Sequence, residues 1–561
     1  MVKLPQQLHR THMEIISPID LADLGQSNRE YSKLTMGIIQ QLAGILEYEI
    51  HQLDELIEGL WEADDSSPEI IASWCAKRAI LVKQRIGCTF ALAPHKRLPA
   101  EIIQQIFLLC IEGAGCGMRL PIQCGSLPIQ IVLTHVCRFW RHVALTTPSL
   151  WSVVKISNFL DDTLHLGAVR AILSRVNGKP LSLSISQGIA HSSGEAMNGP
   201  LTTFVNTLQR DIFAPHQIRK LSLMLNLEYV DHHRQAVPFV GEKVQEIFRT
   251  SLLDLEILDF SIHNTKMWGF PDNEMPPSIG PDRLVSTTNS LPSLKVLRLN
   301  GDTLLYKYIY DSVCWEQLRT LSLKETFVQW ALAILSQCRL LESFSVMVKI
   351  RSNDAASLQS NDLHISLPHL HRLKLSFAPF SSNRDMHIFL NPLSLPNLKS
   401  LHYRASDDLN IRTWPHVHDP LIEDRLQIGN LQELELYPCD PYWQLAAWKN
   451  ARSVRRLYAF VPKFDDDLAV DLANGTLFPL LHDITIECPS SRHPSPFFTM
   501  IDARQTNAAA TVMQQDEIPG DGFVVPFTQV GFQCRQKFID IFQDRIEELR
   551  NGGLELNIFL I

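Results

Sequence analysis

The sequence predicts a mixed α and α/β fold, in which an N-terminal helical hairpin and a small all-α module precede an irregular α/β solenoid. Two observations predict this fold. Apolar residues recur at helical spacing before residue 150, and a short strand pattern recurs many times after residue 180. The chain has 561 residues, which is too long for one ordinary domain and indicates several parts.

Composition and charge argue against several classes of partner. The formal net charge is -9, so no overall field attracts nucleic acid or an anionic membrane. The opening residues lack the apolar run of a secretory signal, and no stretch reaches the roughly 18 apolar residues that cross a bilayer. The 11 cysteines are scattered, unlike a disulfide framework. We therefore expect a cytoplasmic and/or nuclear protein without a nucleic-acid or membrane partner.

A helical hairpin or short coiled coil is predicted at 31–93, after a flexible N-terminus at 1–30. Pro68 and the polar residues before it end the first helix and begin the second. Apolar residues three and four positions apart mark one face of each helix: Ile39, Leu42, Leu46, Leu53, Leu56 and Leu60, then Ile71, Trp74, Leu81 and Ile86. The seam at 39–60 suits packing within the hairpin or weak self-association. We favour internal packing, because the seam is short.

A small helical module is predicted at 94–152. Pro99 fits the first turn of a helix, and Glu101 lies near the positive end of that helix. A Gly-rich loop at 113–117 separates this helix from a second one at 131–143. The module has more apolar residues than about 55 residues can bury internally, which indicates docking onto a partner.

This module resembles the F-box family, in the form found in mushroom-forming fungi. The resemblance rests on Leu98-Pro99-x-Glu101-Ile102, Ile106-Phe107, Val136-Cys137-Arg138-x-Trp140-Arg141 and Pro148-Ser149-Leu150-Trp151. The interval 111–130 is longer than the linker of a typical animal F-box. The resemblance implies binding to the Skp-type adaptor of a cullin-RING ubiquitin ligase. It places the following residues at or under that contact: Leu98, Pro99, Glu101, Ile102, Ile106, Phe107, Val136, Cys137 and Trp140.

The pattern apolar-x-x-apolar-x-apolar recurs ten times after residue 180. The copies are Ile218/Leu221/Leu223, Leu255/Leu258/Phe260, Leu294/Leu297/Leu299, Leu318/Leu321/Leu323, Leu341/Phe344/Val346, Leu370/Leu373/Leu375, Leu398/Leu401/Tyr403, Leu431/Leu434/Leu436, Val454/Leu457/Ala459 and Leu481/Ile484/Ile486. Alternate side chains of each copy enter one face, so each copy predicts a short strand. Stacked copies then form a parallel sheet over one core.

The array resembles leucine-rich repeats and predicts an irregular solenoid at 153–561. Most successive copies are 23 to 33 residues apart, near the repeat length of about 20–29 residues. Further strands are predicted at 181–185 and 554–558. The alternative, a doubly wound α/β domain, requires ten similarly built copies to arise by chance, so we favour the solenoid.

Three loop insertions are predicted within the array, near 263–290, 406–429 and 504–527, from their polar, Pro-rich or Gly-rich composition. They could serve recognition or be insertions without a role, and the sequence leaves both open. A helical return is predicted at 330–335, and a capping helix at 532–549.

No motif for catalysis, a cofactor or a metal stands out. Gly178-Lys179-Pro180 fails as a phosphate loop, and a Gly-x-Ser-x-Gly elbow is absent. Cys110 and Cys137 are expected to be buried as small hydrophobic residues rather than to bind zinc. His416-x-His418-Asp419 and Asp231-His232-His233 lack a second ligand cluster, so we expect solvated loops there. We expect no enzyme activity, no cofactor and no metal.

The function predicted from sequence is therefore substrate recognition for an SCF-type ubiquitin ligase. The module at 94–152 would bind the Skp-type adaptor and, through it, a cullin. The repeat region would bind a protein target that the sequence does not identify. The alternative is a protein-interaction scaffold or sensor that uses the same modules without a ligase. A third class, an enzyme hidden in the C-terminal region, would require convergent polar residues in a pocket.

Overall fold

The computed structural model of the chain describes most residues after residue 30. The described ranges are 31–62, 67–93, 98–114, 117–122, 127–158, 163–190, 198–228, 241–248, 252–264, 291–301, 309–310, 312–349, 364–377, 388–404, 425–437, 448–461, 464, 466–488, 495–513, 524–534 and 536–560. The chain divides into two compact units, Met1–Lys179 and Pro180–Ile561. The predicted flexible N-terminus at 1–30 lies outside the described residues.

The first unit begins with an antiparallel pair of helices, α1 (Lys33–Glu62) and α2 (Pro68–Ala91). Ile39, Leu46 and Leu53 of α1 pack in one cluster with Leu81 and Cys88 of α2. Ion pairs join the helices in antiparallel order: Arg78 binds Asp54, and Arg85 binds Glu47 at 2.7 Å. The seam of the first helix is thus used inside the hairpin.

Two residues of the predicted hairpin faces, Leu56 and Ile86, are placed differently from the expectation, because both are exposed. On α2, Cys88 is fully buried in place of Ile86. The reason is helical geometry, because a residue seven positions after Leu81 returns to the same face at about 100° per residue. A residue five positions after Leu81 lies well to one side.

The module after the hairpin consists of three short helices with a small parallel strand pair. Its elements are α3 (Ala100–Ala114), β1 (Met118–Leu120), α4 (Ile129–Val136), α5 (Arg138–Leu145), a 3-10 turn at Pro148–Trp151, and β2 (Val153–Ser157). The helix α3 packs against both α4 and α5. A further helix, α6 (Thr163–Leu173), follows in the same unit.

Two predictions about this module are wrong. The single helix expected through Val143 is two helices, because Cys137 is fully extended at φ -160° and ψ 171°. The Cys137 Sγ accepts a hydrogen bond from the backbone N–H of Trp140, so Cys137 caps the N-terminus of α5. The module is also not all-α: Met118–Leu120 pairs in parallel with β2, since its buried side chains alternate with period two.

The second unit is built on one large parallel sheet whose strands follow chain order. Its strands are β3 (Leu181–Ala190), β4 (Ile218–Glu228), β5 (Ile257–Asn264), β6 (Val296–Asn300), β7 (Thr320–Phe327), β8 (Ser343–Lys349), β9 (Arg372–Phe377), β10 (Ser400–Arg404), β11 (Glu433–Tyr437), β12 (Arg456–Phe460), β13 (Asp483–Glu487), β14 (Gln529–Cys534) and β15 (Glu555–Leu560). A separate short parallel pair joins Ile365–Ser366 to Leu393–Ser394. The mixed α/β class is confirmed.

All ten predicted copies of the apolar pattern supply strands of this sheet. The last two apolar residues of each copy lie on a strand, and the first lies just before it or at its start. Leu434, for example, lies in register with Leu401 on one side and Leu457 on the other, and all three are buried. Polar residues alternate with them, which gives the sheet one buried apolar face and one polar face. We use "polar face" for the second of these throughout.

Helices occupy the segments between strands. They are α7 (Asn198–Thr207), which continues into a π-helical turn (Leu208–Phe213), helical residues at 241–248, α8 (Val328–Leu335), α9 (Asp466–Ala473), α10 (Ser495–Met513), α11 (Gln536–Ile541) and α12 (Gln543–Asn551). The return predicted at 330–335 is confirmed by α8, which packs against β7 and β8.

The C-terminal part of the array corrects two predictions. The loop expected at 504–527 begins with helix, since α10 runs to Met513. The helix expected at 532–549 begins with strand, because Val530 and Phe532 alternate with Gly531 along β14. The sequence does carry a strand signal here, since Phe527, Val530 and Phe532 have the same apolar spacing as the ten copies, but the helical spacing of Phe538, Phe542 and Ile546 favoured a helix. The rest of the predicted insertions lies mainly outside the described residues.

Candidate functional site

The first unit exposes apolar side chains on two helices that pack near each other. On α3, Ile102, Ile106 and Leu109 are 47%, 36% and 64% exposed. Their spacing of four and three residues places them along one side of the helix. On α4, Val132 and Val136 are 40% and 51% exposed. We call these five residues the apolar helix patch.

The opposite side of α3 forms the interior of the module. Ile103 and Phe107 are fully buried. The Phe107 ring meets the Trp140 ring of α5 edge to face, with centroids 5.0 Å apart. Trp151 is also buried, and its indole N–H donates to the Ala144 carbonyl at 2.9 Å. Internal packing therefore accounts for one side of α3 and leaves the patch uncovered within the described part of the module.

The residues predicted to bind an adaptor divide between surface and interior. Pro99, Glu101, Ile102, Ile106 and Val136 are exposed, whereas Leu98, Cys137 and Trp140 are half-buried and Phe107 is buried. Leu109 and Val132 are exposed on the same two helices but were not singled out from the sequence. The heptad step from Ile102 to Leu109 was the available signal. The predicted burial of Cys110 is wrong, because that thiol is exposed beside Leu109.

A second candidate site lies on the polar face of the sheet in the second unit. It is a cavity of about 280 Å³ lined by Lys374, His402, Tyr403, Arg404, Glu435, Tyr437, Tyr458 and Glu487. Parallel pairing creates it, since Lys374, His402, Glu435 and Tyr458 occupy the same register on four consecutive strands, β9 to β12. Adjacent strands lie about 4.8 Å apart, so these side chains lie side by side.

A hydrogen-bonded relay fixes the imidazole of His402 in this site. Its Nδ1 pairs with a carboxylate oxygen of Glu435, and its Nε2 lies 3.0 Å from the Ser400 hydroxyl. An ionised carboxylate only accepts hydrogen bonds, so Nδ1 carries the proton. The bond from His402 lowers the pKa of Glu435, and the nearby charges of His402, Lys374 and Arg404 act in the same direction against the opposing effect of burial.

The order hydroxyl, imidazole, carboxylate is also that of an activated serine nucleophile. Ser400, however, is only 5% exposed, and its backbone N–H donates to the His371 carbonyl at 2.9 Å. A substrate would need both access to the hydroxyl and free backbone donors for an oxyanion. We therefore interpret the relay as a device that orients His402 and Glu435.

Aromatic rings form the other wall of the cavity. The Arg404 guanidinium lies 4.8 Å from the centre of the Tyr437 ring, and that ring lies 4.6 Å from the ring of Phe460. Burial, and then a hydrogen bond to Glu487, raise the pKa of the Tyr458 phenol. The cavity thus has a cationic side on β9 and β10 and an acidic, aromatic side on β11 to β13.

Other predicted sites can be compared only within the described residues. There, no group of three or more His, Cys, Asp or Glu residues is arranged to hold a metal ion. The clusters at 416–419 and 231–233 lie outside these residues. Among the described helices, none combines the length and apolar character needed to cross a bilayer.

No protein-family model matches the chain. No curated protein matches it either.

The hydrogen bond from His402 to Glu435 predicts a pH-dependent contribution to stability. Because the pKa of Glu435 is lowered, the stabilisation that this hydrogen bond provides is complete above pH 4.5, the ordinary pKa of a glutamate. It is lost as the pH falls through the lowered pKa of Glu435. The difference in unfolding free energy between the wild type and Glu435→Gln should therefore shrink below pH 4.5. Urea denaturation at a series of pH values measures it. In a His402→Phe background, which lacks the donor, the same substitution should show little pH dependence; an unchanged dependence would contradict this account.

Proposed function

We propose that this chain is a substrate-recognition adaptor of an SCF-type cullin-RING ubiquitin ligase. In this proposal the module at 94–152 is an F-box that binds the Skp-type adaptor and, through it, the cullin. The strand array at 153–561 is an irregular leucine-rich-repeat solenoid that binds a protein target. The chain itself carries out no chemistry and acts in the cytosol or nucleus.

The observation that carries the proposal is the apolar helix patch at positions of the F-box-like motif. Ile102, Ile106 and Val136 were selected by motif, and all three project from helices whose other sides form a closed interior. Exposed apolar residues aligned along a helix are typical of protein interaction surfaces. The proposal depends on motif order, helix arrangement and this surface.

The target-binding part of the proposal is supported by the regular sheet. Parallel strands that follow chain order present side chains in register across many strands. Such a face offers a broad surface on which polar and aromatic residues can be varied without altering the core.

The alternative is a scaffold or sensor that uses the same two surfaces without a ligase. Affinity purification of the tagged full chain, followed by mass spectrometry, separates the two. The proposed function predicts that the Skp-type adaptor and a cullin copurify with the wild type and are lost with Leu98→Ala plus Ile102→Ala. Recovery of partners without adaptor or cullin would favour the scaffold.

A further inference from the structure

The polar face carries an excess of positive charge on four adjacent strands, β7 to β10. Lys324, Lys349, Arg372, Lys374 and Arg404 lie on this face, and all except the half-buried Lys349 are exposed. The acidic group on these strands is Glu325, which binds Lys349 at 2.7 Å. The charge here is opposite in sign to that of the whole chain, -9.

The dimensions of this surface suit a short extended segment. Three inter-strand steps of about 4.8 Å separate β7 from β10, so the surface is roughly 14 Å wide. An extended chain advances about 3.3 Å per residue, and four or five residues cover that width. The side chains of Arg372 and Lys374 are exposed and make no hydrogen bond or ion pair within the part of the chain that the structure describes, although the charge of Lys374 helps to lower the pKa of Glu435.

The neighbouring strands limit where negative charge can bind. Glu433 and Glu435 on β11 and Asp483 and Glu487 on β13 face the same side, with Arg456 between them bound to Glu433. An anion is therefore attracted over β9 and β10 and repelled further along the sheet. The adjoining cavity of about 280 Å³ is slightly smaller than the range of about 300–1,000 Å³ typical of small-molecule sites, which favours a single side chain as its occupant.

We propose that this surface binds an acidic, extended segment of a target protein, with carboxylate side chains on Arg372, Lys374 and Arg404. This inference rests on the proposed function, since it specifies the chemistry of the target. A nucleic acid is a less suitable ligand, because its backbone carries a phosphate at every nucleotide and would extend over the acidic strands. A peptide can place its acidic residues over β9 and β10 alone.

Fluorescence anisotropy with the full chain and a labelled hexaglutamate peptide tests the proposal. The double variant Arg372→Gln/Lys374→Gln removes two exposed charges and should weaken binding about tenfold. Arg298→Gln is the matched control, because Arg298 occupies the polar face in the same register but is bound to Asp259 at 2.7 Å. It should change the affinity less than about twofold. Raising the salt to about 1 M should also weaken binding by the wild type, since the screening length falls to about 3 Å.

Equal affinity of the wild type and the double variant for hexaglutamate would overturn the proposal. Tighter binding of a labelled oligouridine that depends on Lys374 would overturn it in favour of nucleic acid.

The purified Skp-type adaptor is tested in parallel. A double variant that retains adaptor binding but loses the peptide supports the proposal, whereas a wild type that binds the adaptor and not the peptide refutes this inference alone. A wild type that binds the peptide and not the adaptor instead contradicts the proposed function and leaves the peptide site supported.

Discussion

Replacing Ile102 and Ile106 together with aspartate is expected to abolish binding of the Skp-type adaptor. Both side chains are exposed, so the change should alter folding stability by only about 0.5 kcal/mol per site. At an interface, each aspartate would replace apolar contact with a carboxylate that lacks a partner. Two central contacts worth about 2 kcal/mol each correspond to a loss of affinity of roughly 1,000-fold. Coprecipitation of purified adaptor with the full chain measures the loss.

The control for this experiment is Ile80→Asp. Ile80 is 59% exposed on α2, in the same unit but outside the module, so it receives the same chemical change at similar exposure. It should bind adaptor as the wild type does, with an unchanged circular dichroism spectrum. Loss of binding in the control, or retention in the double variant, would show that the apolar helix patch is not the contact.

Replacing Arg504 with methionine is expected to destabilise the second unit by at least about 3 kcal/mol. Arg504 is fully buried on α10 and donates hydrogen bonds to backbone carbonyls of Leu472, Phe478, Pro479, Leu481 and Val525. Burial lowers its pKa to about 10, so it remains charged at neutral pH. A methionine fills much of the volume but leaves these carbonyls without a donor, and each buried unsatisfied group costs about 1–3 kcal/mol.

Chemical denaturation of the full chain, followed by far-ultraviolet circular dichroism, measures this loss. Arg545→Met on α12 is the matched control, because Arg545 pairs with Asp502 and Glu548 near the surface and should contribute at most about 1 kcal/mol. Arg504→Lys should be intermediate, since an ammonium group retains the charge but cannot reach all the carbonyls. Equal stability of Arg504→Met and the Arg545 control would contradict the role assigned to Arg504.

The strands were predictable because their signal is local. An apolar pair two residues apart, preceded by another apolar residue, is enough to identify a buried parallel strand, and all ten copies have strands. β1, β2 and β14 were missed. β1 has only three residues, whereas β2 and β14 carry the same apolar spacing at Trp151/Val154/Ile156 and Phe527/Val530/Phe532, beside segments with stronger helix or loop signals. The break at Cys137 was missed for a different reason: helical spacing continues across it, and only the backbone shows the extended residue.

The two candidate sites differ in how far the sequence could predict them. Ile102 and Ile106 lie four residues apart, so their shared helix side was predictable once the helix was identified. His402 and Glu435 are 33 residues apart, and only the register of β10 and β11 brings them together. Arg504 was predicted to lie in an exposed loop, since no sequence pattern indicates that distant carbonyls will converge on a guanidinium group.

Calorimetric titration of the full chain with purified Skp-type adaptor tests the central claim most directly. The account predicts a one-to-one complex and a negative heat-capacity change, because binding would bury the apolar side chains of Ile102, Ile106, Leu109, Val132 and Val136. The double aspartate variant should give no binding heat. Absence of binding by the wild type, or binding that the double aspartate variant retains, would contradict the claim that this patch receives the adaptor.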